Sequence, residues 1–91
     1  MKAYQPLSCD LYDYLEIACL YGYRLQLELL DGSTLKARAQ TTRTSNTDEW
    51  LVLQSDSGPL EIRLDQLLAI TPLDKPARFG RIELARRHRS N

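Results

Sequence analysis

From Arg24 onward the hydrophobic residues of this chain recur with a period of two, which confines most of it to a sheet. Leu25, Leu27 and Leu29 alternate with Arg24, Gln26 and Glu28; Leu35, Ala37 and Ala39 alternate with Lys36, Arg38 and Gln40. Asp31-Gly32 between the two runs marks a hairpin. A two-residue Asp31-Gly32 loop would set Leu27 opposite Lys36, mixing apolar and charged side chains on one face. A three-residue loop, Leu30-Asp31-Gly32, sets Leu27 opposite Leu35 and Leu25 opposite Ala37. The second is the expected register: a type I turn with Gly32 in the left-handed region and a bulge.

The remaining strands follow from runs and breakers. Residues 41–49 are polar and aperiodic and read as a loop. Trp50 opens a continuous apolar run, and Asp56-Ser57-Gly58-Pro59 is a turn. Leu60, Ile62 and Leu64 alternate with Glu61 and Arg63, Asp65-Gln66 is a brief break or single turn, and Pro72 closes the next strand. The expected strands are residues 24–30, 34–41, 50–55, 60–64 and 67–71. Asp74-Lys75-Pro76 is a linker, and 79–85 reads as an edge strand or, alternatively, a short basic helix. Residues 86–91 read as a disordered basic tail. The expected fold is one domain over 1–85, mainly β with one N-terminal helix: a small bent antiparallel sheet or barrel of five to six strands.

The helix, over about residues 10–20, gathers its acids on one side. With Asp10 at 0° and 100° per residue, Asp13 falls at about 300° and Glu16 at about 240°, an arc of roughly 120°. Leu11, Leu15, Ala18 and Cys19 fall at about 80° to 180° and would pack on the sheet. Asp10 suits an N-cap with Asp13 at N3, and Gly22 is placed to end the helix. Capping and the helix dipole account for two of the three carboxylates. No base occurs from Ala3 to Tyr23, so the face is one-signed and suits a positive surface.

At 91 residues the chain has room for a modest core and little room for an elaborate active site. Zero net charge conceals a division: residues 1–74 hold six bases and eleven acids, and residues 75–91 hold six bases and one acid, so −5 is balanced by +5. An acidic body argues against direct nucleic-acid binding, and none is expected. Cys9 and Cys19 would stand about 15 Å apart on one helix, too far for a disulfide. Free thiols and the polar start Met1-Lys2-Ala3-Tyr4 point to the cytoplasm. No cofactor or metal is expected, since His88 is the only histidine and no Cys-x-x-Cys occurs. Neither cysteine suits a nucleophile: Cys9 lies beside Asp10 and Asp13, and Cys19 lies on the packing side. The helix carboxylates point outward from a convex surface rather than across a cleft. The five tyrosines, clustered around the helix, read as covering one end of the sheet, and Trp50 as core or rim. The chain is therefore not read as an enzyme.

Leu27-Glu28-Leu29-Leu30-Asp31-Gly32 and Leu35-Lys36-Ala37 resemble the first hairpin of the Sm-like fold. More specifically, Tyr4-Gln5-Pro6, Cys9-Asp10, Tyr12-Asp13, Leu15-Glu16 and Ala18-Cys19 resemble the Rof (YaeO) family, the Rho-binding antiterminators. Leu27-Glu28-Leu29, Asp31-Gly32, Trp50-Leu51-Val52 and Leu64-Asp65 continue the match over about residues 4–72, and 79–84 follow it more weakly. The resemblance implies a monomeric inhibitor of Rho-dependent termination that binds the N-terminal RNA-binding domain of Rho. Its acidic helix would take the place of phosphates and block RNA loading. Asp10, Asp13 and Glu16 are the implied contacts, with Tyr12 as an aromatic neighbour and Asn46 from the loop. Ile17, with Leu20, would supply an apolar part if exposed, or would pack on the sheet. Two features depart from the family: Leu11, where another acid is expected in some relatives, and the basic end Arg86-Arg87-His88-Arg89.

The rival reading is an Sm-like RNA-binding protein. Its RNA sites use an Arg-Gly pair after the fourth strand, where this chain has Arg63-Leu64-Asp65. The loop Arg43-Thr44-Ser45-Asn46 is the remaining RNA candidate.

Overall fold

The alternation that begins at Arg24 becomes a hairpin in the computed structural model, which describes residues 9–84. Strand β1 (Arg24–Leu29) pairs antiparallel with β2 (Thr34–Thr44), Leu25 opposite Ala37 and Leu27 opposite Leu35. Gly32 has φ +94°, and its N–H donates to the Leu29 carbonyl at 3.0 Å while the Leu29 N–H donates to Ser33 at 2.9 Å. The three-residue loop keeps both strands in phase, with Leu25, Leu27, Ala37 and Ala39 all buried.

Four more strands complete an antiparallel sheet: β3 (Glu49–Ser55), β4 (Gly58–Arg63), β5 (Leu67–Pro72) and β6 (Ile82–Glu83). Their order is β4-β3-β2-β1-β5-β6, so the sheet is open, with β4 and β6 at its edges. Pro59 sits in the edge strand β4, where a missing N–H costs least. A single 3-10 turn, Leu64–Gln66, links β4 to β5 at the break expected around Asp65-Gln66.

Two of the expected strand boundaries differ from those observed. The loop expected over 41–49 is much shorter, because β2 runs on to Thr44 and pairs Thr41 with Val52 through Thr44 with Glu49. A bulge between Ala39 and Thr41 shifts the register, which erases the alternation in the sequence while the threonines still suit a strand. What remains is a tight turn, closed by the Ser45 N–H to the Asp48 carbonyl at 2.8 Å. The edge strand expected over 79–85 shrinks to Ile82–Glu83, paired with Ile70 and Ala69, and the basic helix is not formed there. Residues 85–91, the basic tail among them, lie outside the described residues.

Helix α1 (Cys9–Tyr21) covers the inner face of the first hairpin. Leu15 and Ala18 are fully buried, and Leu11, Tyr12, Ile17 and Cys19 pack partly against the same core. The helix ends on Gly22, φ +62°, with the Gly22 N–H donating to Cys19 at 3.2 Å and the Tyr23 N–H to Ala18 at 2.9 Å. This crossed pair satisfies carbonyls that a helix end otherwise leaves open. Because the helix begins at Cys9, Asp10 lies in its first turn and is not the cap, and Asp13 is beyond N3. The cap position falls outside the described residues, whereas the dipole still favours Asp10 where it stands.

The chain after β5 folds back across the helix end. Phe79 meets Tyr14 edge-on at 5.1 Å and Tyr23 at 6.0 Å. Leu84 is buried, its N–H bonded to the Leu68 carbonyl at 2.7 Å. The fully buried large side chains, Leu15, Leu25, Leu27, Leu51, Leu53, Leu67 and Ile70, form one core between helix and sheet, and no described polar side chain is buried. No described helix is long and apolar enough to cross a membrane.

Candidate functional site

Burying Leu15 and Ala18 fixes how the helix is rotated, and that rotation presents Asp10, Asp13 and Glu16 to solvent. None of the three carboxylates has an ion pair among the described residues, and three of the arginines pair with other acids instead. Arg43 meets Glu61 at 2.6 Å; Arg63 meets Asp65 at 2.7 Å and Asp48 at 3.5 Å. Arg81 meets Glu28 at 2.8 Å and Glu83 at 3.9 Å. These three arginines are engaged by other acids, and among the described residues the helix face carries uncompensated negative charge.

The other candidates divide. Tyr12 and Ile17 are half-buried and packed against the core, so Ile17 takes the packing alternative. Leu20 is 76 % exposed. At 100° per residue it falls at about 280°, between Glu16 and Asp13 and within the acidic arc. The helix thus presents a leucine flanked by carboxylates. Asn46 is exposed in the β2–β3 turn, and among the described residues no hydrogen bond joins it to the helix. The structure therefore brings Asp10, Asp13, Glu16 and Leu20 onto one surface and leaves Asn46 on another element.

The far end of the helix is tied down by contacts that periodicity does not reveal. The Arg78 guanidinium lies 5.1 Å from the centre of the Tyr21 ring and donates to its hydroxyl at 2.7 Å. The Arg78 N–H donates to the Tyr23 hydroxyl at 2.9 Å, and Tyr21 stacks on Tyr23 at 5.6 Å. Of the five tyrosines, Tyr14, Tyr21 and Tyr23 gather at this end, where Arg78 and Phe79 hold them, whereas Tyr12 packs against the core and Tyr4 lies outside the described residues. The only sequence signal was a cluster of aromatics without partners.

Thiolate chemistry at Cys19 is disfavoured. Burial, and secondarily the charge of Glu16, pushes the Cys19 thiol up to about 11, far from the thiolate form at neutral pH. The side chain of Cys9 lies outside what is described. A shallow cavity lined by Leu29, Leu30, Asp31, Asp65 and Gln66 has its carboxylates already engaged, Asp31 by Ser33 at 2.6 Å and Asp65 by Arg63. Among the described residues no group of three or more His, Cys, Asp or Glu is placed to hold a metal ion. Arg43, the base in the loop considered for RNA, lies 5.2 Å from the centre of the Trp50 ring as well as on Glu61.

Comparison with known proteins agrees with this outline. Residues 6–84 match the model of a family described as modulators of Rho-dependent transcription termination (ROF). The chain is 40 % identical over 68 residues to "Protein rof" of Escherichia coli K12, covering 75 % of this chain and 81 % of that one. The same figures hold for "Protein rof" of Shigella flexneri. Among solved structures, one titled "YaeO bound to Magnesium", from Vibrio cholerae, superimposes with a TM-score of 0.73 at 28 % identity. That match covers 81 % of this chain and 97 % of the other.

Proposed function

Since the chain belongs to the family of modulators of Rho-dependent transcription termination, we propose that it restrains termination by seating its acidic helix on the N-terminal RNA-binding domain of Rho. An RNA site is lined with cations placed for phosphates. Asp10, Asp13 and Glu16 answer those cations and exclude the transcript. The observation that carries this reading is that, among the described residues, no arginine pairs with the helix carboxylates.

Magnitudes assign the parts. An exposed ion pair is worth about 0.2–1 kcal/mol, so three acids alone hold a partner weakly. Burying one leucine side chain contributes about 1.5–3 kcal/mol. Leu20 therefore supplies adhesion, and the acids supply orientation and speed of encounter. Tyr12 and Ile17, half-buried beside the acids, border the contact, and Asn46 makes a separate, peripheral one. The protein acts as a monomer in the cytoplasm, and binding, not catalysis, is its activity.

A pull-down with purified Rho, with and without RNA, tests the reading. Wild-type protein should be retained by Rho and released by excess RNA. D13K/E16K should not be retained, although it folds, because both side chains are exposed. Retention of the double variant would place the contact elsewhere.

A further inference from the structure

The outer face of β1 and β2 carries charge that the helix site does not use. Alternation sends Leu25, Leu27 and Ala37 into the core and turns Arg24, Gln26, Lys36 and Arg38 the other way. Arg24 stands directly opposite Arg38, and Gln26 opposite Lys36. Gln54 follows Arg38 on β3. Like charges directly opposite on neighbouring strands destabilise a sheet.

Among the described residues no carboxylate forms an ion pair with Arg24 or Arg38. Glu28, farther along the same face, is held by Arg81. Asp74 accepts the backbone N–H of Arg24 at 3.1 Å and makes no ion pair among the described residues. Arg38 donates to the neutral carbonyl of Gly22. Of the described arginines that do meet carboxylates, Arg43 and Arg63 lie elsewhere on the sheet, and Arg81 is engaged at the Glu28 end of this face. A net charge of −5 over residues 1–74 averages this away, whereas the fold sorts it, with acids outward on the helix and bases on the far side of the strands beneath it.

We propose that this basic face is a second binding surface, taken by the phosphate backbone of single-stranded RNA. The large exposed hydrophobics among the described residues are Leu20, Tyr21, Leu30 and Leu73, none of them on β1 or β2; Leu73 borders the patch through its N–H on the Arg24 carbonyl, and Tyr21 precedes Gly22, whose carbonyl Arg38 holds. A protein partner's interface normally has an apolar core, so this surface suits a polyanion better. Tyr21 is sandwiched between Tyr23 and Arg78, which removes its ring as a stacking platform. Binding is therefore to phosphates and indifferent to sequence. The inference rests on the helix being the side that faces Rho: transcript kept off Rho is then the polyanion closest to the outward basic face, at high local concentration.

The test uses the full chain without Rho and a fluorescein-labelled oligouridine, read by anisotropy. Binding should weaken steeply with salt. R24Q/K36Q, two exposed substitutions, should lose roughly tenfold in affinity at low salt, and its salt slope should fall by about 1.4, at about 0.7 per phosphate contact on a single strand. The same variant should still be retained by Rho, and D13K/E16K should still bind the oligonucleotide, so the two readings fail separately. No oligonucleotide binding overturns the proposal. So does binding unchanged in R24Q/K36Q, which would assign it to the bases beyond residue 84. Tighter binding of polyglutamate than of RNA overturns it in favour of an acidic protein.

Discussion

Leu20 stands in solvent at the angle of the acids it follows by four and seven residues, and no core contact explains it. L20A should therefore leave the melting temperature within experimental error and weaken Rho binding by about tenfold, equivalent to about 1.4 kcal/mol. An unchanged affinity would confine the contact to charge alone. Ionisation can be tested one residue at a time. The hydrogen bonds from Arg81 hold the Glu28 carboxyl below its usual range, and those from Ser33 do the same for Asp31. A carboxyl lowered by folding stabilises the protein above its unfolded value, and that stabilisation is lost as pH falls through the folded value. R81Q should thus return Glu28 to an ordinary titration by NMR and remove its share of the acid-side loss of stability. Leu20 also shows the reach of the sequence at this scale: the helical wheel places it within the acidic arc, but only the rotation fixed by Leu15 and Ala18 decides that it, and not Ile17, is bare.

At the scale of elements, the helix is held by its buried stripe and by its ending. L15A should cost about 2–5 kcal/mol in urea unfolding, since Leu15 is fully enclosed. G22A should cost about 1–2 kcal/mol, because Gly22 holds φ +62° with no neighbour within 4 Å of an added methyl, so the penalty is conformational and not steric. A loss as small as that of an exposed helix residue would mean the helix ends otherwise. The first hairpin was legible because only one loop length keeps Leu25, Leu27, Leu35 and Ala37 on one face. The far half of β2 was not, because the bulge after Ala39 breaks the phase that periodicity depends on. The brevity of β6 was equally hidden: Phe79 is drawn to Tyr14 and Tyr23, and that aromatic contact takes residues an edge strand would have used.

Across the whole molecule, charge is partitioned by face. Sequence order shows a negative body and a positive end, but the fold decides that Arg43, Arg63 and Arg81 meet acids elsewhere while the helix acids have no ion pair among the described residues. Opposite charges across an exposed contact steer encounter and are screened by salt, so the association rate with Rho should fall steeply as ionic strength rises while dissociation changes little. The most direct measurement of the central claim is displacement of fluorescent RNA from Rho by this protein. Wild type should release the RNA in a dose-dependent way and D13K/E16K should leave it bound; equal displacement by both would contradict the account.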